Sequence, residues 1–242
     1  MKESNKNKFN HLKIHSQYSI CEGAIKIDQL KDYCKKNKIK SLGISDTYNL
    51  SGALEFSENL SSIGTQPIIG TQILIKFKET FGLLPLIAKN IEGYKNIIEL
   101  SSKSYLENDS ISEPHCSFDD ILKKNNGIIV LSGSITNLIG KLFNAGLFDD
   151  IDFIYKKLLE KFENNFYLEI QRHNDQNEKL FEKFNLSQSK KYNLPLIATN
   201  EVFYLDKSMS EAHDALMCIG QKTYINDCKR VAWFVNNNLS ED

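Results

Sequence analysis

Apolar positions along this chain fall into two alternating periods. Short stretches repeat every second residue or are apolar throughout: His11–His15, Ser41–Ser45, Gln66–Ile69 running into Ile73–Phe77, Leu83–Ala88, Ile128–Leu131, Phe166–Ile170 and Leu196–Thr199. That period predicts strands, and the continuous apolar runs predict strands covered on both faces. Between them the apolar residues recur at helical spacing. The stripes are Ile27, Leu30 and Cys34; Leu50, Ala53, Leu54 and Ser57; Tyr94, Ile97, Ile98 and Ser101; Leu138, Ile139, Leu142 and Phe143; Ile151, Ile154, Tyr155, Leu158, Leu159 and Phe162; and Met209, Ala212, Leu216 and Ile219. About seven strand–helix units predict an α/β fold with a parallel sheet. The length suits a (β/α) barrel. No GxGxxG follows a strand, which argues against a dinucleotide-binding fold.

The same periods sort the polar residues. His15 ends the first strand pattern and Asp46 follows the second. His173 follows Phe166–Ile170, and Asn200 and Glu201 follow Leu196–Thr199. In a parallel barrel those strand ends share one mouth, where functional groups gather. The plainer reading makes Asp46 and Asn200 helix N-caps. On residues alone, a barrel hydrolase with a general base among Asp46, His173 and Glu201 is one function class.

Lys13 disturbs the most suggestive motif. His11, Lys13 and His15 share one strand face, and two imidazoles so placed suit a metal. Lysine offers three donors and no acceptor, and its charge repels a divalent cation.

Composition narrows the classes further. The 242 residues carry a net charge of −1, so no global basic field holds nucleic acid. Only Arg172 and Arg230 are arginines, which leaves few bidentate clamps. Cys21, Cys34, Cys116, Cys218 and Cys228 form no CxxC pair and predict a reducing, cytoplasmic setting. No apolar run reaches membrane-spanning length. Residues 1–10 read as a disordered lead-in and Glu107–His115 as a loop. Lys35–Lys38 reads as a solvated face, with weak attraction for DNA as the alternative.

Seven collinear stretches carry a resemblance: HLKIHSQYSICEGAIKI (11–27), LGISDTYNLSGALEFS (42–57), QPIIGTQI (66–73), LPLIAKNIEGYKNI (84–97), GIIVLSGSI (127–135), FYLEIQRHN (166–174) and LPLIATNEVFYLDKSMSEAHDALMCI (194–219). Together they resemble the N-terminal PHP (polymerase and histidinol phosphatase) domain of bacterial DNA polymerase III alpha subunits, in its alphaproteobacterial form. The resemblance spans 11–227 and implies a distorted seven-stranded (β/α) barrel of PHP type. Residues 228–242 do not continue it and read as a truncation or frameshift.

Intact members of that family hold metals in a pocket, and the resemblance places those positions here. The first histidine of an HxH pair is Lys13 and the second is His15. The turn aspartate is Glu22, and the position after Asp46 is Thr47. The remaining positions are Gln72, Leu83, Ser134, and, for the closing DxH, Glu201 and Phe203. Only His15 is unchanged, so the resemblance implies a degenerate pocket with no metal, no catalytic residue and no cofactor. Lys13 is expected to pair with Glu22 or Glu201. His213 also matches a family position, with a packing or capping role, and Cys21 and Cys218 read as apolar fillers.

The implied role is a non-catalytic module of the replicative polymerase. Its implied partners are the proofreading exonuclease subunit, the downstream polymerase domains and, through the full-length protein, DNA. Nothing here resembles the polymerase palm, so the chain is not expected to polymerise DNA alone. The alternative is a metal-dependent phosphoesterase or 3′–5′ exonuclease.

Overall fold

A computed structural model describes residues 9–108, 112–173, 176–227 and Leu239. Most of the lead-in, the centre of the 107–115 loop, and the tail apart from Leu239 lie outside the described residues, as do Cys228, Arg230 and Trp233. In chain order the elements are β1 (Lys13–Ile14), α1 (Ile27–Asn37), β2 (Ser41–Thr47), α2 (Ala53–Ser61), β3 (Gln66–Phe77), β4 (Thr80–Ala88), α3 (Ile91–Leu106), β5 (Cys116–Ser117), α4 (Phe118–Lys123), β6 (Ile128–Leu131), α5 (Leu138–Asn144), α6 (Phe148–Phe162), β7 (Phe166–Ile170), α7 (Gln176–Tyr192), β8 (Leu196–Ala198), β9 (Glu201–Val202) and α8 (Ser210–Gln221).

The sheet runs β8-β7-β6-β4-β3-β2-β1-β9, with β5 paired to β3. Its two ends, β8 and β9, are separated in sequence only by Thr199 and Asn200. The sheet therefore comes round on itself through a bend in the chain, a distorted (β/α) barrel. Two features depart from the sequence expectation. Nine strands replace seven, because β5 and β9 are two-residue pairings too short to show a period. The sheet is also mixed: β4 runs antiparallel to β3 and β6. Only Lys78 and Glu79 link β3 to β4, and so short a link can join only antiparallel strands.

Alternation along the strands divides the barrel chemically. Ile14, Ile44, Ile73, Ile75, Leu84, Leu86, Val130, Phe166 and Leu168 face outward and are buried under the helices in two apolar clusters. The intervening residues face the lumen, and the register aligns Lys13 with Glu201 and Thr47 with Gln72. Helices thus cover the apolar faces and leave the polar ones to one another.

Three helical stripes shift. In α2 the buried residues are Ala53, Phe56 and Leu60, and Leu54 is exposed. In α3, Ile98 gives way to Leu100. In α8 the buried face is His213, Met217 and Cys218, while Ile219 is exposed. In each case several phases of a short helix present similar apolar content, and packing selects one. Helix α7 has no clear apolar stripe, so its pattern did not announce it. It is anchored by Phe181 and by fully buried Asn185, whose Nδ2 donates to the Glu169 carbonyl at 2.9 Å. Leu239 is also fully buried, within the cluster around Ile14 and Leu42.

The loop after β1 is held by close backbone approach. A Cβ on Gly23 would lie 2.0 Å from the Ser16 carbonyl oxygen. Gly23→Ala is therefore expected to displace this loop and destabilise the domain by about 1–3 kcal/mol. The check is urea denaturation, where an unchanged midpoint would show that the loop yields freely.

Candidate functional site

Lys13 is fully buried in the lumen. Its Nζ lies 3.0 Å from Glu169 Oε1 and 3.5 Å from Glu201 Oε1. Burial opposes its charge, but Glu169 and then Glu201 outweigh that and raise its pKa above 10.5. Burial likewise opposes ionisation of Glu201, and Lys13, His15 and Gln72 outweigh it, holding the carboxyl below 4.5.

Around this ion cluster the polar groups bond to one another, although Ser45 Oγ on the lumenal face of β2 has no partner among the described residues. His15 Nε2 lies 3.1 Å from Glu201 Oε1. Gln72 Nε2 donates to the same oxygen, and its Oε1 accepts from Asn137 Nδ2 at 3.1 Å. Ser134 donates to Asn137 Oδ1 at 2.9 Å. On the far side, Glu169 accepts from Gly133 N, Gln171 Nε2 and the Thr199 hydroxyl. Phe203 stacks on His15 with centroids 4.2 Å apart. Thr47 donates to Glu22 at 2.6 Å. Leu83 pairs with Leu74, on the same sheet face as Gln72 and one step along.

Several expectations need correction. Glu22 does not pair with Lys13; the loop after β1 carries it to Thr47 instead, and Glu169 takes its place. Asp46 lies within β2, and α2 is capped by Gly52, so Asp46 is no helix N-cap. Alternation turns it out of the lumen, where it accepts from Ser16 N, Ser16 Oγ and Ser19 Oγ at 2.6–2.8 Å. Burial raises its pKa, offset in part by those hydroxyls. Asn200 is not a cap either: its Oδ1 lies 2.7 Å from His173 Nε2. His173, itself buried, also contacts Glu178 at 2.8 Å. His213 Nε2 donates to the Glu22 carbonyl at 2.7 Å, a packing role.

Sequence reasoning missed Glu169, Gln171 and Asn137. Glu169 did carry a signal. It is the one charged residue inside the FYLEI strand, and Leu168 and Ile170 on either side of it must face away.

The sequence pattern of PHP domains matches residues 11–173. The chain belongs to the PHP domain family. The chain is also 34% identical to a DNA polymerase III subunit alpha of Caulobacter vibrioides over 230 residues, 92% of this chain and 20% of that one. The corresponding protein of Rickettsia bellii is 35% identical over 87% of this chain and 18% of its own length, and that of Borreliella burgdorferi 32% over 96% and 21%. The chain thus spans about a fifth of these relatives. Among solved structures, a metal-dependent phosphoesterase of Bifidobacterium adolescentis superposes with a TM-score of 0.53 at 12% identity, covering 79% of this chain and 86% of that one. An amidohydrolase of Chromobacterium violaceum gives 0.50 at 8%, over 80% and 87%. These two likenesses show the fold alone.

Set against a metal, this PHP lumen does not fit. An ammonium stands between the two carboxylates that would have to bind the ion, and Gln72, Leu83, Thr47 and Phe203 supply no anionic or imidazole donor. Among the described residues no three His, Cys, Asp or Glu side chains are grouped to hold one.

Removing Lys13 leaves two buried carboxylates uncompensated. Lys13→Ala is expected to destabilise the domain by about 3 kcal/mol in chemical denaturation, and an unchanged midpoint would show that the cluster contributes nothing. The pH dependence follows from the shifts. Glu201, with its pKa lowered, contributes above 4.5 and loses that contribution as pH falls. Lys13, with its pKa raised, contributes fully below 10.5 and loses it as pH rises. The stability difference between wild type and Lys13→Met should therefore widen as pH rises above 4.5, because the variant's buried Glu201 is left without its cation, and shrink as pH rises above 10.5. Taking the difference also cancels His11, which burial lowers to about 4 and which costs stability below 6.5 in both proteins.

Proposed function

We propose that this chain is a non-catalytic PHP module of a bacterial replicative DNA polymerase, acting in the cytoplasm as structural support and as a docking platform for the proofreading exonuclease subunit. One observation carries the loss of catalysis: the Lys13 ammonium fills the lumen between Glu169 and Glu201. A metal there would have to displace a buried cation that already satisfies both carboxylates. Hydrolysis of phosphoesters by such sites depends on a firmly held ion that lowers the pKa of bound water. The assignment to a polymerase rests on the relatives at 31–35% identity. The exonuclease partner rests on the family resemblance.

The acid–base alternative finds no support in the geometry. Asp46 is tied to Ser16 and Ser19, His173 to Glu178 and Asn200, and Glu201 to Lys13 and Gln72. Each candidate base already holds a partner in a hydrogen-bond network.

Two measurements test the proposal. Purified protein supplied with Zn²⁺, Mn²⁺ or Mg²⁺ is expected to hydrolyse neither bis(p-nitrophenyl) phosphate nor the 3′ ends of single-stranded DNA. Turnover that His15→Ala abolishes would replace this reading with the phosphoesterase. Immobilised protein is expected to retain the exonuclease subunit from the same organism, and loss of that retention in a well-folded sample would remove the docking role.

A further inference from the structure

The end of the barrel opposite the pocket carries a strip of cations with no ion pair among the described residues. From Cys34 to Lys40 the chain reads C-K-K-N-K-I-K. Every residue in it that is not lysine is tied back to the protein. Cys34 is buried, Asn37 Nδ2 donates to the Tyr33 carbonyl at 3.0 Å, and Ile39 packs against the core around Leu42. Lys35, Lys36, Lys38 and Lys40 are all exposed. None of the four has a carboxylate within 4.0 Å among the described residues, whereas Lys78, Lys103, Lys124, Lys157 and Lys191 all do.

The strip is held in a defined shape. Lys38 closes α1 in the left-handed region at φ 54°, where glycine is the usual choice. Two backbone hydrogen bonds to the Cys34 carbonyl fix the turn. The neighbouring α2–β3 loop runs alongside: Gln66 N donates to the Lys40 carbonyl, and Thr65 Oγ1 to that of Ile39. That loop, Ser61–Gln66, contains hydroxyls and an amide but no acid. Cations at a helix C-terminus are favoured by the helix dipole, which accounts for Lys35 and Lys36. It does not account for Lys38 and Lys40 beyond the helix end, which have no ion pair among the described residues.

We infer that this strip is a binding face for the phosphate backbone of duplex DNA. Lysines present point charges suited to phosphate oxygens, and the hydroxyl- and amide-bearing loop adds neutral donors. The face goes beyond the scaffold role and is independent of it. It lies at the N-terminal end of β2, the opposite end of that strand from Thr47. Backbone contacts of this kind carry no sequence preference and release counterions.

The test uses the whole chain and a fluorescein-labelled duplex in anisotropy titrations at several salt concentrations. Binding should weaken with salt at a log–log slope of roughly −3 to −4, as four phosphate contacts require. Lys35→Gln, Lys36→Gln, Lys38→Gln and Lys40→Gln should each reduce the slope by about one, and the quadruple variant should abolish binding at 50 mM salt. A control variant, Lys156→Gln with Lys157→Gln and Lys161→Gln on α6, removes as many charges less one and should bind as wild type. Circular dichroism establishes that each variant is folded. Equal weakening by the control would reduce the effect to net charge. No binding by wild type at 50 mM salt, or full binding by the quadruple variant, would overturn the inference, as would binding of an acidic polypeptide such as polyglutamate with the same affinity as DNA.

Discussion

The lumen of this domain depends on one buried cation. Lys13 enters from β1, Glu201 from β9 and Glu169 from β7, so the cluster joins both sides of the seam at which the sheet closes. Without it Glu169 and Glu201 would be left buried with no cation between them, a costly arrangement. The network beyond them, from Gln72 through Asn137 to Ser134, extends the same bonding to β3 and the β6–α5 loop. A buried ion network of this kind is poor evidence of stability relative to an apolar core. It is good evidence that breaking any one member is costly, since the others are then left unsatisfied.

That arrangement also shows how a lysine can balance the charges of a PHP lumen. In this lumen, polar residues face inward from β1, β2, β3, β7 and β9, and the two carboxylates among them share a cation. A divalent ion can be that cation, and so can a lysine ammonium. The ammonium donates hydrogen bonds but accepts none, holds no water for attack and leaves no open coordination position. Under the non-catalytic role proposed above, the chemistry is given up while the charge balance between the strands is kept. The outer faces lie away from the lumen, their apolar residues packed in two clusters beneath the helices.

The fold class was legible because it rests on local periods. Period-two runs marked the principal strands, and period-3.6 stripes marked most helices. The exceptions share a cause. β5 and β9 are too short to carry a period, and α7 is held by Phe181 and Asn185 rather than by an apolar stripe. The direction of β4 followed from a two-residue link that the strand assignments had left longer. The phases of α2, α3 and α8 were settled by packing against the sheet, which no local window contains.

For the site, the sequence by itself determined the chemistry available: a lysine beside His15 on one strand face, with Thr47, Gln72, Leu83, Ser134 and Phe203 at positions that the family resemblance implies are metal ligands elsewhere. It did not determine which groups meet. Glu169 reaches Lys13 across 156 residues of sequence. Glu22, far nearer in sequence, is carried to Thr47 by a loop held against Ser16 through Gly23. Asp46 lies at a strand end yet faces out of the barrel, because alternation sets its side opposite to that of Thr47. Strand identity and residue type are properties of short segments, and short segments can be read. Partnership in a closed sheet depends on register, side and the path of loops, and those are decided only when the whole chain packs.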